Sequence, residues 1–190
     1  MANPQAVGDD EGEWIEVVNA DATAVNLRDW VLRDAGSDRH RIAADLWLQP
    51  GDYAVLGIVA DPAINGGAPV HYAYRGVTLA NRSDALVLEL PDGRLADSVR
   101  WGEDTGLATT AGASLERTSL MADATWTTAQ QPWPGSAGGL WLAGSGVFRP
   151  ADANAWPDAP RSMAARDGAG RAADRRICLS GQRRRVRGDP

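Results

Sequence analysis

Ala85-Leu86-Val87-Leu88-Glu89-Leu90-Pro91-Asp92-Gly93-Arg94-Leu95-Ala96-Asp97-Ser98-Val99-Arg100-Trp101 is the stretch that decides the fold. Leu86, Leu88 and Leu90 alternate with Val87 and Glu89, the period-two pattern of a strand with one face turned inward. Pro91-Asp92-Gly93-Arg94 then reverses the chain, because Asp-Gly favours left-handed turn geometry and Gly93 accepts it without steric cost. On the return strand Val99 and Trp101 share a face. A hairpin of this kind cannot stand alone in water, so it calls for further strands to cover its apolar face.

Those strands lie on both sides of it. Glu13-Trp14-Ile15-Glu16-Val17-Val18-Asn19 puts Ile15 and Val17 on one face and Trp14 and Val18 on the other. Asn26 to Asp34 reads as a second strand, with Trp30 and Leu32 on one face. His40–Ile42 is a short candidate strand. Leu46-Trp47-Leu48 runs into the tight turn Gln49-Pro50-Gly51-Asp52, in which Pro50 presets φ and Gly51 takes a positive φ. Tyr53–Ile58 follows as a buried strand, and Val70–Tyr74 as a candidate edge strand. Ser114–Thr118 and Thr125–Thr128 are expected to close the fold. Short strands at 8–12-residue spacing, with no sustained helical period, predict an all-β sandwich.

Beyond Pro132-Trp133-Pro134-Gly135 the character changes. Residues 136–190 mix Gly, Ala, Asp, Pro and Arg with no period, and a largely disordered tail is expected there. The predicted organisation is a sandwich domain over 1–135 and a tail over 136–190. Net charge divides the same way, −11 before residue 136 and +5 after it. An acidic folded part argues against nucleic-acid binding, which needs a basic face. Arg supplies all 19 positive charges and Lys none, a bias expected of a GC-rich bacterial genome. The one cysteine, Cys178, cannot form an internal disulfide. No apolar run reaches 18 residues, so no transmembrane helix is expected. The N-terminus lacks a basic n-region and an apolar h-region, so no signal peptide is expected and the chain as written would stay in the cytoplasm.

Taken in order, several of these motifs resemble the lamin tail domain of bacterial proteins. They are Asn3-Pro4 with the acidic Gly8–Gly12 and Glu13–Asn19, then Asn26–Asp34 and Leu48–Leu56. Asn81–Leu88, Pro91-Asp92-Gly93, Asp97-Ser98-Val99 and Ser114–Arg117 follow. The resemblance implies an immunoglobulin-like β-sandwich and a module attached to exported bacterial proteins, sometimes beside nuclease- or phosphatase-like domains. It therefore points to an extracellular or cell-envelope location. The residues that carry the signature here, all in structural roles, are Trp14, Glu16, Trp30, Pro50, Gly51, Gly93, Asp97, Leu115 and Arg117. Arg117 is expected to pair with Asp97 or Glu16 in a half-buried setting. Family members carry an apolar strand before Asn-Pro, whereas this chain begins Met1-Ala2. An unpaired sheet edge is the expected result, and with it an internal start codon or a gene fragment.

Catalysis finds little support. Only His40 and His71 are available as bases, there is no nucleophile elbow, and a phosphate loop that needs Lys cannot be built. No catalytic, cofactor or metal residues are expected. Gly8-Asp9-Asp10-Glu11-Gly12-Glu13 is the best candidate for calcium, yet its spacing is not that of an EF-hand and such turns are commonly just solvated. Eight Trp invite a glycan-binding reading, but Trp14, Trp30, Trp101 and Trp126 sit in strands, where packing is the commoner role. The expected function is a non-catalytic structural or interaction module for protein or cell-envelope partners, served by loops 35–39, 60–69 and 102–112 and by the open sheet edge. A glycan- or calcium-binding accessory module and a piece of a secreted multidomain hydrolase are the alternatives.

Overall fold

Strand alternation along the chain produces two four-stranded sheets packed through their apolar faces. The structure, a computed structural model, describes residues 1–118, 125–129 and 177–179. A single helical turn, α1 (Asp9–Gly12), precedes β1 (Trp14–Asn19). Then come β2 (Val25–Asn26), β3 (Val31–Arg33), β4 (Arg39–Arg41), β5 (Trp47–Leu48), β6 (Tyr53–Gly57) and β7 (Tyr72–Ala73). β8 (Asp84–Glu89), β9 (Leu95–Trp101), β10 (Leu115–Arg117), β11 (Trp126–Thr128) and β12 (Ile177–Leu179) complete the described elements. One sheet has the order β12-β1-β6-β7 and the other β4-β3-β8-β9, while β2–β5 and β10–β11 are two-stranded ribbons.

The core follows the predicted faces. Ile15 and Val17 from β1 and Leu56 from β6 meet Trp30, Leu32, Leu86, Leu88, Val99 and Trp101 in the main apolar cluster. Burying each such side chain contributes about 1.5–3 kcal/mol, and this layer is where most of the stability resides. The hairpin pairs Leu86 with Val99 and Val87 with Ser98, with a register shift between Leu88 and Glu89. Gly93 sits at φ 83° in its turn and Gly51 at φ 81° in the other, positions where a Cβ would be strained.

Trp14 faces away from that core into a second cluster with Met1, Val55 and Ala68. Both faces of β1 are therefore covered, which is why its sequence reads as nearly continuous apolar rather than as a clean alternation. The segment after β6 folds over this second cluster. Buried Asn65 donates to Val59 O and Ala68 O at 2.8 and 2.9 Å and accepts from the Gly67 and Ala68 amides. Val70 packs so closely that a Cβ on Gly57 would lie 2.5 Å from its Cγ2.

Two expectations change. The strand predicted over Asn26–Asp34 is two strands, because Asn26 Oδ1 accepts the amides of Arg28 and Leu46 and turns the chain. Asp29 then takes φ 69°, and β3 starts only at Val31. The edge expected to be unpaired carries a strand: β12 runs antiparallel to β1, with Val17 opposite Leu179, Val18 opposite Cys178 and Asn19 opposite Ile177. Within the segment expected to be largely disordered, these three residues form a strand; the rest of 136–190 lies outside the described residues.

Asn19, the last residue of β1, ties three segments together. Its backbone exchanges hydrogen bonds with the Pro50-Gly51 turn, through Gly51 N to Asn19 O and Asn19 N to Asp52 O. Its Nδ2 donates to Thr23 O at 2.8 Å and Leu48 O at 2.9 Å, and its Oδ1 accepts from the Asp21 amide. The residue is fully buried. Replacing Asn19 with Ala strands those groups, and a loss of about 3 kcal/mol is expected in urea unfolding; a loss below a few tenths would show the side chain to be dispensable.

Candidate functional site

The outer edge of β1 is the most distinctive surface in the described residues. Pairing with β6 occupies the inner edge from Trp14 to Val18. On the outer edge, Met1 and Trp14 exchange two hydrogen bonds. The α-amine donates to Trp14 O at 2.8 Å and the Trp14 amide donates to Met1 O at 3.1 Å. That reciprocal pair marks an antiparallel ladder. Alternation along a strand then turns the peptide groups of Glu16 and Val18 the same way as those of Trp14. β12 takes up the ladder at Val17–Asn19, and its backbone also lies beside β9 at the edge of the opposing sheet.

Beside Met1 and Ala2 lies a small, open-mouthed apolar groove of about 50 Å³. Ile15, Leu86 and Val99 line it, together with Leu115 and Trp126 from the β10–β11 ribbon. Arg117 of that ribbon stands 3.5 Å from Asp97 of β9 (Nη2 to Oδ1), each side chain about one-tenth exposed. Its guanidinium also lies over the Trp126 ring, 5.8 Å from the centroid. The pair fastens the ribbon to the sheet beside the groove.

Burial sets the electrostatics at the other end. Glu13, 4 % exposed, accepts the Leu79 amide on Oε2 at 2.9 Å. Burial pushes its carboxyl up to about 7, with the Leu79 hydrogen bond opposing and Asp9 adding to the rise. Burial likewise pushes the Met1 amine down to about 5, against the attraction of Glu13 and Glu16.

The signature residues do not converge on one point. Trp30 is in the main core, Trp14 in the second cluster, and Glu16 and Leu115 at the groove. Pro50, Gly51 and Gly93 occupy exposed turns on the far side of their strands. For the glycan reading, Trp101 is buried with its Nε1 donating to Ala80 O at 2.8 Å, and only Trp47 is exposed among the described Trp; Trp133 lies outside the described residues. Asp9, Asp10 and Glu11 form the first turn of α1, and Asp9 accepts from Asn81 Nδ2. No group of three or more His, Cys, Asp or Glu among the described residues is placed to hold a metal. His40 bonds the Tyr72 hydroxyl, and His71 Nδ1 accepts the Val55 amide. Of the three loops expected to make contacts, 60–69 is partly committed to covering Trp14, while its tip over 61–64 is exposed.

Sequence reasoning missed the groove and the roles of Met1, Asn19 and Glu13. The signal for Glu13 was its place at the head of an apolar strand, where a carboxylate is drawn inward with the chain.

The sheets, their strand order and the covered core define an immunoglobulin-like β-sandwich. The model of the Lamin Tail Domain family matches residues 1–103, more than half of the chain, and the chain belongs to that family. Among curated proteins, none matches it. No described helix is long and apolar enough to cross a membrane.

Arg117→Ala leaves Asp97 buried without its cation, and a loss of about 3 kcal/mol is expected by chemical denaturation; an unchanged midpoint would remove the pair from the fold's supports. Glu13 titrates with a raised folded-state pKa, so its contribution is full below pH 4.5 and is lost as pH rises toward 7. Glu13→Gln keeps an acceptor for Leu79 without the charge. Its urea midpoint is expected to gain on the native chain between pH 4.5 and 7 and to hold that gain above 7. Midpoints that stay parallel across that range would show Glu13 to be effectively solvated.

Proposed function

We propose that this chain is a non-catalytic interaction module that binds protein partners by strand addition at the outer edge of β1. The observation that supports this reading is the ladder itself. Two separate pieces of chain, Met1 and β12, add to the same edge in the same antiparallel sense. An edge that accepts short strands from its own chain presents the N–H and C=O pattern that an extended partner segment needs. Main-chain hydrogen bonds supply affinity in such complexes and alternate side chains supply selectivity. Membership in a family of structural immunoglobulin-like domains agrees with this role. A partner in the cell envelope is included in the proposal, because export is the setting that the resemblance implies.

The test is a selection of extended peptides from a displayed library on the intact chain, with binders mapped by amide chemical shifts. Shifts concentrated at Ile15–Asn19 are expected. Binders that cluster on loops 35–39 or 102–112 instead would overturn strand addition. A saturable change in Trp fluorescence with Ca²⁺ or a glycan panel, together with no peptide binders, would overturn the protein-binding reading.

A further inference from the structure

The chain has two histidines, and both of their rings hold the same edge strand. That strand, β7, is short and pairs in parallel with β6 through Leu56–Tyr72 and Gly57–Ala73. Just before this pairing, His71 grips Val55 of β6 twice. Its amide donates to Val55 O at 2.8 Å, and its ring Nδ1 accepts the Val55 amide at 2.9 Å. Nδ1 of His71 therefore carries no proton.

His40, on β4 at the edge of the other sheet, holds the strand from the opposite side. Its Nδ1 lies 3.1 Å from Arg75 O and 3.3 Å from Arg75 N. Its Nε2 lies 2.9 Å from the Tyr72 hydroxyl, which also accepts the Ala43 amide at 3.0 Å. A neutral imidazole has one donor nitrogen and one acceptor. With the proton on Nδ1, that nitrogen donates to Arg75 O and Nε2 accepts from the tyrosine hydroxyl. With the proton on Nε2, Nδ1 accepts the Arg75 amide. In either tautomer the ring accepts one hydrogen bond from this segment. A protonated ring accepts none, and at His71 the added proton would point at the Val55 N–H.

An imidazole is the one side chain whose ordinary pKa puts its charge change between about pH 5 and 8. The charged groups around the two rings are engaged elsewhere or act in the opposite sense. Arg39 and Arg41 flank His40 on β4 and reach Glu89 and Asp29. Asp38 accepts from Thr78, and the Arg75 residue is exposed. The Tyr72 and Tyr74 rings lie 5.6 and 6.3 Å from the His40 ring. β6 has Tyr53 as its titratable side chain, and Asp52 before it accepts the Gln49 amide. Glu13, bonded to the Leu79 amide beyond the segment, contributes most in acid, so it tightens that end as the histidines let go. Burial is the chief cause that holds both imidazoles below their usual range, with the backbone bonds at Arg75 and Val55 opposing. A lowered folded-state value means that their contribution is full above about 6.5 and is lost as pH falls through that lowered value.

We propose that β7 is an acid-released flap: protonation of His40 and His71 removes its side-chain attachments to β4 and β6 together, and the strand lifts while Tyr74 and Val77 stay rooted in the core. Lifting β7 turns the edge of β6 that faces away from β1 from a covered edge into an open one. The flap is independent of strand addition at the outer edge of β1, which lies on the other side of the same sheet.

The experiment is hydrogen–deuterium exchange of the full chain at about pH 7.5 and about pH 5.5, on either side of the imidazole titration. Rates are expressed as protection factors, so that the intrinsic pH dependence of exchange cancels. Protection of the Val55 and Ala43 amides is expected to fall about tenfold in acid, the worth of the hydrogen bond each loses. Protection of Leu88, in the central strand β8, is expected to hold. The double variant His40→Gln/His71→Gln, whose amides accept without titrating, is expected to keep its protection in acid. Equal protection at the two pH values in the native chain, or an equal fall in the double variant, would overturn the flap. A matching fall at Leu88 would mean global unfolding and would overturn a local release. If the double variant does not fold, an NMR titration of the native chain decides. The Val55 amide shift is expected to follow the His71 ring, and a Val55 amide unmoved through that titration overturns the proposal.

Discussion

Every peptide group of a strand needs a partner on the side it faces, and β1 has to meet that demand along two edges while both of its faces are buried. This constraint organises much of the rest. β6 satisfies the inner edge through five registered pairs, Trp14–Gly57 to Val18–Tyr53. The faces are covered by the main core on one side and by Met1, Val55 and Ala68 on the other. Only the outer edge is left to improvisation. Among the described residues it is met by Met1 opposite Trp14 and by β12 opposite Val17–Asn19. An unpaired buried amide costs more than most side-chain contacts contribute, so this edge is the natural place for the molecule to be completed.

The polar groups follow the same logic. Asn19 closes β1 by satisfying carbonyls of two other segments, and Glu13 opens it by accepting the Leu79 amide from across the sandwich. One is neutral and carries no penalty of charge. The other is a carboxyl whose burial shifts its titration toward neutrality. The two ends of the strand thus respond differently to pH, with the Asn19 end insensitive and the Glu13 end softening as protons leave.

Much of the sandwich was legible because alternation is a local property. Leu86, Leu88, Val99 and Trp101 show their common face within one hairpin, and Pro50-Gly51 and Pro91-Asp92-Gly93 declare their turns by the backbone angles those residues permit. The division of Asn26–Asp34 was not legible, because it depends on an Asn26 side chain that reaches Leu46, twenty residues on. The pairing of β12 with β1 was hidden for a related reason. Its register is set by an edge more than 150 residues away in sequence, and Ile-Cys-Leu alone is too short to announce a strand. The groove was out of reach altogether, since a cavity is defined by atoms contributed from several strands, and periodicity reports on one strand at a time. For the signature residues, the sequence located Arg117 and Asp97 on separate strands, and only the folded geometry gives their 3.5 Å approach.

The segment between β6 and β7 has a consequence for how this domain can vary. Surface connections usually tolerate insertions because their backbone is solvated. Here Asn65 and Ala68 are about as buried as strand residues, and Val70 closes on Gly57 with no room for a methyl group. The connection behaves as a third structural layer laid over the outer face of the sheet. Of this connection, the exposed tip at 61–64 is the part whose length can change without disturbing that layer. A peptide tag or a grafted epitope placed there would be carried on a rigid base, whereas the same insert a few residues later would lift the cover off Trp14.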